Sequence, residues 1–327
     1  MNLPALAVVG NRIVNAETLR PVRLRGVNRS GLEYSPPADP GPIERAGITA
    51  HEFDEIASWG ANIVRLPFNQ EWALPSETYD PSRYLDAMDQ VVSMAAQRGI
   101  YTLLDLQWLD ATHPRGTLKD GTVNLVPPLP NLRSIEVWSQ LAARYRSQTG
   151  VLCDIFNEPH DKLPDDVGDF QRISLEGNIS NARGSRVRAS EWHPWATHLV
   201  RAIRNQNPAA VIFVSGLDWG YDLSEFPLAD VEAVVYSSHA YPNKRKSWDR
   251  AFGQLSRTHP VFVAEWGGGD AHVDWGRELL RYLDERSIGW TAWSWSDRPH
   301  LIRKEGPFEP TAFGSVVRAS LLDQIES

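Results

Sequence analysis

The chain has 327 residues, with 33 Lys and Arg against 41 Asp and Glu for a net charge of −8, and 42% of it is hydrophobic. That balance excludes a disordered or fibrous chain, and the acidic excess argues against a phosphate-backbone binder, so nucleic acid is not an expected partner. Tryptophan, at 13 residues, outnumbers both Phe at 10 and Tyr at 9, and the single cysteine, Cys153, permits neither an internal disulfide nor a cysteine-based zinc site.

In chain order, the apolar stretch from Leu3 to Val9 meets a Gly10-Asn11 turn signal and then Ile13 and Val14. This predicts a hairpin over 1–21, and with no positive n-region no signal peptide is visible. Eight β-rich runs follow: VRLRGVN from Val22, NIVRLPF from Asn62, YTLLDLQW from Tyr101, VLCDIFNEP from Val151, VIFVSGLDW from Val211, VVYSSHAYP from Val234, VFVAEWGG from Val261 and GWTAWSWSD from Gly289. Between them lie stretches with helical spacing. TAHEFDEIASWG carries Thr49 and Glu52 at capping-box spacing, PSRYLDAMDQVVSMAAQRG has Pro81 for a first turn and Gly99 for a C-cap, and LRSIEVWSQLAARYRSQTG ends at Gly150. EWHPWATHLVRAIRNQNP and the segment after Thr311 complete the set.

Strand runs alternating with helices, and no GxGxxG after the first strand, predict an α/β chain closed into a (β/α)8 TIM barrel over 22–327, with the hairpin attached. No linker divides the chain, so one catalytic domain over 1–327 is expected. No apolar run approaches the roughly 18 residues of a membrane span. Two connections are long, 109–131 and 160–190, the second carrying Arg172, Arg183, Arg186 and Arg188. Both follow strands and are expected to wall a cleft on the C-terminal face of the barrel.

Two glutamates end strand runs in apolar settings, Glu158 in IFNEP on the fourth and Glu265 in VFVAEWGG on the seventh. A carboxylate pair across a cleft is the minimum equipment for glycoside hydrolysis, one donating a proton to the leaving oxygen and one attacking the anomeric carbon. A buried ion-pair partner is the other reading of either glutamate taken alone. With these residues the chain resembles glycoside hydrolase family 5, the cellulase-type family of retaining β-glycosidases, from Leu24 to about Asp297. Asn157-Glu158-Pro159 resembles the family's acid/base signature and Glu265 in AEWG its nucleophile. Arg65 in VRLPF, His239 and Tyr241 in SSHAYP, and Trp293 in AWSWSD resemble its supporting residues.

The resemblance implies a role for each. Glu265 attacks as a carboxylate held by Arg65 and Tyr241, and Glu158 starts protonated, favoured by the negative charge of Glu265. Asn157 contacts the sugar 2-hydroxyl, and Trp293 floors the subsite on the non-reducing side. Arg65 as a structural ion pair and His239 as a core histidine remain open alternatives. Trp295 alternates with Trp293 and is expected to pack outward. Where family members commonly carry a histidine near the end of the third strand, this chain reads LDLQW, with Gln107. Gln107 hydrogen-bonds but cannot take a charge at neutral pH, so an altered pH profile or sugar contact is expected there.

Trp72, Trp108, Trp219 and Trp266 also lie at or beyond strand ends, where stacking on a pyranose and packing are both open, and Trp219 is counted with the substrate-binding set. His193 and His198 are read as helix surface residues, HEFDE from His51 as a solvated first turn, and the arginines of 160–190 as a solvated loop. The expected function is a retaining endo-β-1,4-glucanase; a β-mannanase, a xyloglucanase, a transglycosylase or a catalytically silent glycan-binding barrel are the alternatives. No cofactor or metal is expected. An oligo- or polysaccharide substrate, no membrane partner, a monomer and, from the resemblance, secretion complete the expectations.

Overall fold

A computed structural model of the chain describes residues 2–110, 127–160, 186–244, 246–303 and 307–323. The long connections expected to wall the cleft, with Arg172 and Arg183, fall largely outside the described residues. Strands β1 (Leu6–Val9) and β2 (Arg12–Asn15) form the expected antiparallel hairpin, with Leu6 opposite Asn15. Gly10 in its turn has φ 58°, the left-handed region that glycine enters without steric cost.

Each of the eight predicted runs holds one strand of a closed parallel barrel. These are β3 (Arg25–Asn28), β4 (Ile63–Asn69), β5 (Tyr101–Trp108), β6 (Val151–Asp154), β7 (Ile212–Ser215), β8 (Val235–Ala240), β9 (Val261–Trp266) and β10 (Gly289–Ala292). β10 pairs with both β9 and β3 and closes the ring. The architecture is the (β/α)8 barrel that the alternation of β and helical patterns implied.

Helices cover five of the connections, at Ala50–Ser58, Ser82–Ala96, Leu132–Arg144, Ala189–Gln206 and Val273–Glu285, and Ala312–Leu322 follows β10. The alternation weakens in two places. Between β7 and β8 the chain makes bridges from Gly216 to Gly220 and from Leu217 to Asp222 and no helix, and among the described residues between β8 and β9 it makes a short π-helix at Asp249–Gly253 and a 3-10 turn at Leu255–Arg257. Two glycines and Pro227 within 216–234 deny that stretch a continuous helical ladder.

The strands divide their side chains between two apolar bodies. Leu104, Leu106, Val64 and Leu66 join the shell between strands and helices, whereas Leu103, Ile63, Leu152, Phe213 and Phe262 meet Leu3, Leu6 and Ile13 of the N-terminal segment in a second cluster. Successive residues on a strand point to opposite faces, so the second cluster is the barrel's filled interior, floored by the hairpin.

Two expectations for the shell change. HEFDE is not simply a solvated turn: Thr49 accepts from the Glu52 amide as a cap, but the Glu52 carboxylate is buried against Arg29 at 2.8 Å. His193 is half-buried, its ring 4.7 Å from that of Phe226. No helix among the described residues is long and apolar enough to cross a membrane.

Candidate active site

Two residues higher along β4, β5 and β6, the interior changes from apolar to polar. Ile63 is followed on its face by Arg65, Leu103 by Asp105 and then Gln107, and Leu152 by Asp154. Arg65 is fully buried and reaches four strands: it donates from Nε to Asp154 at 2.9 Å, from Nη2 to Asn157 Oδ1 at 2.9 Å, and from Nη1 to Glu265 at 2.7 Å and to Asn28 Oδ1 at 3.1 Å, while its Nη2 stands 2.9 Å from Asp105 as an ion pair without hydrogen-bond geometry. Asn28 is fixed in turn by donating to the carbonyls of Ala264 and Thr291.

Burial alone pulls the Arg65 guanidinium down, yet Asp105, Asp154 and Glu265 together push it above its ordinary value. Burial raises the Asp154 carboxyl to about 6 against the opposing pull of Arg65, and holds that of Asp105 well above the usual range. One cation thus sits among three acidic groups, an imbalance that with burial favours the protonated form of the two aspartates.

The two glutamates stand above this layer. Glu265, at the end of β9, accepts from Arg65 at one oxygen and from the Tyr241 hydroxyl at the other, at 2.8 Å. The Tyr241 phenol is held well above its ordinary value by burial and by the charge of Glu265, so it remains a donor. Glu158, beyond β6, is 19% exposed at its side chain and meets His239 Nδ1 at 2.9 Å. Burial drives the fully enclosed His239 imidazole down to about 3, so the group beside Glu158 is neutral. His239 Nδ1 also lies 3.6 Å from Glu265.

Glu158, His239 and Glu265 bring one ligand atom each to within 4.8 Å of one another. An imidazole with two carboxylates is a donor set a divalent cation accepts. Here, however, His239 Nδ1 is engaged by Glu158, and both Glu265 oxygens by Arg65 and Tyr241.

The expected supporting residues distribute unevenly. Asn157 spends its carbonyl oxygen on Arg65. Gln107 lies at the top of β5, 7% exposed, with Oε1 buried and unpartnered among the described residues. Trp293 follows β10, joins neither apolar cluster, and donates Nε1 to the Arg298 carbonyl. Trp219 is half-buried and stacks on His160 with ring centroids 4.2 Å apart.

Trp266 packs on Trp290 and Phe313, Trp72 on Tyr84, and Trp295 on Trp59, so these three belong to the shell. Arg186 and Arg188 line a cavity of about 400 Å³ with Asp218, Asp222, Glu225 and His160. That cavity adjoins the Trp219 turn, and its wall includes neither Glu158 nor Glu265. The sequence reading missed Asn28, Asp105 and Asp154, although each is a polar residue at an inward position of an apolar run.

The order of these residues along the strands has a counterpart among known proteins: residues 17–299 match the family described as Cellulase (glycosyl hydrolase family 5). The chain belongs to glycosyl hydrolase family 5. This family 5 chain is 26% identical over 336 residues to an endoglucanase of Paenibacillus polymyxa, covering 87% of the chain and 78% of that protein. It is 27% identical over 328 residues to endoglucanase E-5 of Thermobifida fusca, covering 92% of the chain and 58% of that protein. It spans 51% of a third relative, endoglucanase MaCel5A of Microbulbifer sp.. Among solved structures, a β-glucanase of Saccharophagus degradans superposes with a TM-score of 0.75 at 22% identity, covering 99% of this chain and 94% of that one. The catalytic domain of T. fusca endoglucanase Cel5A gives 0.71 at 23%, with 97% of each chain covered. At these identities the structural likeness speaks for the barrel.

Proposed function

We propose that this chain hydrolyses β-1,4-linked glucan internally with retention of anomeric configuration, Glu265 serving as nucleophile and Glu158 as acid/base. The observation that carries the reading is the approach of Glu158 and Glu265 oxygens to within 4.8 Å. Retaining enzymes keep their carboxyl groups ~5–5.5 Å apart, whereas inverting ones leave ~6.5–9.5 Å for a water molecule.

The two environments suit two roles. Glu265 receives donors at both oxygens, which stabilise a carboxylate. Glu158 faces a neutral imidazole, which can accept a hydrogen bond from a carboxylic acid without the electrostatic pull a cation would exert. In the first step Glu158 protonates the glycosidic oxygen while Glu265 attacks the anomeric carbon. Once Glu265 is esterified, Arg65 still has Asp105 and Asp154, so its charge is not orphaned. The negative charge opposing ionisation of Glu158 is then gone, and Glu158 can accept a proton from the attacking water.

Asn157 would offer its amide nitrogen to the sugar 2-hydroxyl, while Gln107, Trp219 and Trp293 would contact neighbouring sugar. Glucan is favoured because the relatives are named endoglucanases and because a structure of the S. degradans β-glucanase holds cellotetraose. Action outside the cell fits a Xanthomonas campestris relative named a major extracellular endoglucanase.

Glu265→Ala and Glu158→Ala are each expected to lower turnover of soluble β-glucan by several orders of magnitude with unchanged circular dichroism. Proton NMR of the first product should show the β anomer. Near-wild-type hydrolysis by either variant would sink the assignment, an initial α anomer would sink retention, and preference for mannan or xyloglucan on a polysaccharide panel would replace the glucan reading.

A further inference from the structure

Three consecutive residues beyond β7 occupy the left-handed region: Asp218 at φ 54°, Trp219 at φ 61° and Gly220 at φ 70°. For residues bearing a Cβ this conformation is costly and is retained only where surrounding contacts enforce it. Those contacts converge on the groups that hold Glu158. The Trp219 amide donates to the carbonyl of Pro159, the residue after Glu158, at 3.0 Å. The Trp219 ring carries the stacked ring of His160, whose Nδ1 lies 2.7 Å from the Glu158 carbonyl. The Gly220 carbonyl accepts from the His239 amide at 3.0 Å. A Cβ on Gly220 would fall 2.8 Å from His239 Cγ and 2.9 Å from His239 Nδ1, the atom that meets Glu158.

The turn is tied down from a neighbouring strand end. Lys244 Nζ donates to the Asp218 carbonyl at 2.7 Å and stands 3.4 Å from the Asp218 carboxylate. The Lys244 amide donates to the carbonyl of Tyr241, the residue whose hydroxyl holds Glu265. The Lys244 charge also helps, after burial and against the opposing pull of Glu265, to keep His239 neutral.

We propose that the turn at 218–220, pinned by Lys244, is the device that positions Glu158 for proton transfer, making Gly220 and Lys244 positioning residues for the acid/base. The inference rests on Glu158 being the acid/base and deepens that reading. Misplacing a general acid by a fraction of an ångström costs most where the leaving group cannot depart without a proton, and least where it is already stable as an anion.

The test compares kcat/KM for two aryl β-cellobiosides, one releasing phenol and one releasing 2,4-dinitrophenol, or the matching pair for whichever disaccharide the wild type cleaves. Gly220→Ala and Lys244→Met are measured beside Glu158→Ala, with thermal melting to establish folding. Glu158→Ala should lose at least 100-fold more on the phenyl than on the dinitrophenyl substrate. Gly220→Ala should show the same skew at about tenfold or more, and Lys244→Met a smaller skew of the same sign. Equal losses on both substrates, or none, in folded Gly220→Ala and Lys244→Met would overturn the positioning role while leaving Glu158 intact. Should Gly220→Ala fail to fold, Lys244→Met decides alone. Absence of any skew in Glu158→Ala would overturn the acid/base reading itself.

Discussion

Arg65 is the side chain on which the polar layer depends. Removing a single partner from a buried ionic cluster leaves uncompensated charge and typically costs about 3–5 kcal/mol. Arg65→Met, which strands Asp105, Asp154 and Glu265, should lose that much at pH 8 in chemical denaturation. The loss should shrink at pH 5, because below about 6 Asp154 takes up its proton and needs the cation less. A loss independent of pH would mean that packing, not charge, dominates.

Glu33 gives the opposite case. It is fully enclosed, hydrogen-bonded to Ser30 Oγ and the Gly31 amide, and raised to about 7 chiefly by burial. Since the folded state holds this proton more tightly than the unfolded chain, its contribution is complete below about 4.5. It declines as pH rises toward 7, by about 3 kcal/mol in all. Glu33→Gln should remove that decline, so the variant gains on the wild type between pH 4.5 and 8; parallel stability curves would refute it.

The strands and most helices were legible because each carries its own periodicity. Leu103, Asp105 and Gln107 alternate with Leu104 and Leu106, and the alternation alone assigns them to opposite faces of β5. What that pattern lacks is height. That Asp105, Asp154 and Asn28 meet the same guanidinium depends on the stagger between neighbouring strands, which no single run encodes. Glu52 was misread for a related reason: its helical turn exposes His51 and Asp54 on either side, and only tertiary contact with Arg29 makes the carboxylate interior. The connection from β7 to β8 contains no helix, so the expected alternation of strand and helix fails there, while the helix Val273–Glu285 occupies a connection where no helical stretch had been singled out.

A capped helix offers a prediction at this scale. The Asn131 side chain accepts from the Ser134 amide in a reciprocal capping box, and also from Gln70 Nε2 at 3.1 Å. Asn131→Ala should therefore cost about 1 kcal/mol, visible as a lowered Tm, with kcat unchanged. A fall in kcat without a fall in Tm would tie this cap to the cleft instead.

At the scale of the whole molecule, the chain closes the lower mouth of its own barrel. Leu3, Leu6 and Ile13 are each buried to 9% exposure or less against the interior cluster, and the Tyr101 hydroxyl donates to the Pro4 carbonyl. Deleting residues 2–21 would uncover these contacts and remove on the order of 5 kcal/mol of apolar burial. Such a truncation should melt far earlier, while any folded fraction keeps its substrate preference, since every residue assigned to the site lies at the opposite end. A truncated chain with an unchanged Tm would show the hairpin to be an ornament.

The tryptophan excess has an optical consequence. Ten of the 13 indoles are buried and Trp108, Trp195 and Trp219 are half-buried, so none stands in open solvent. Intrinsic emission is therefore dominated by rings locked between strands and helices, such as Trp266 on Trp290 and Trp59 on Trp295. It will report the melting of that shell with high contrast and sugar in the cleft with little. Saccharide titrations of this chain are better followed by calorimetry than by its own light.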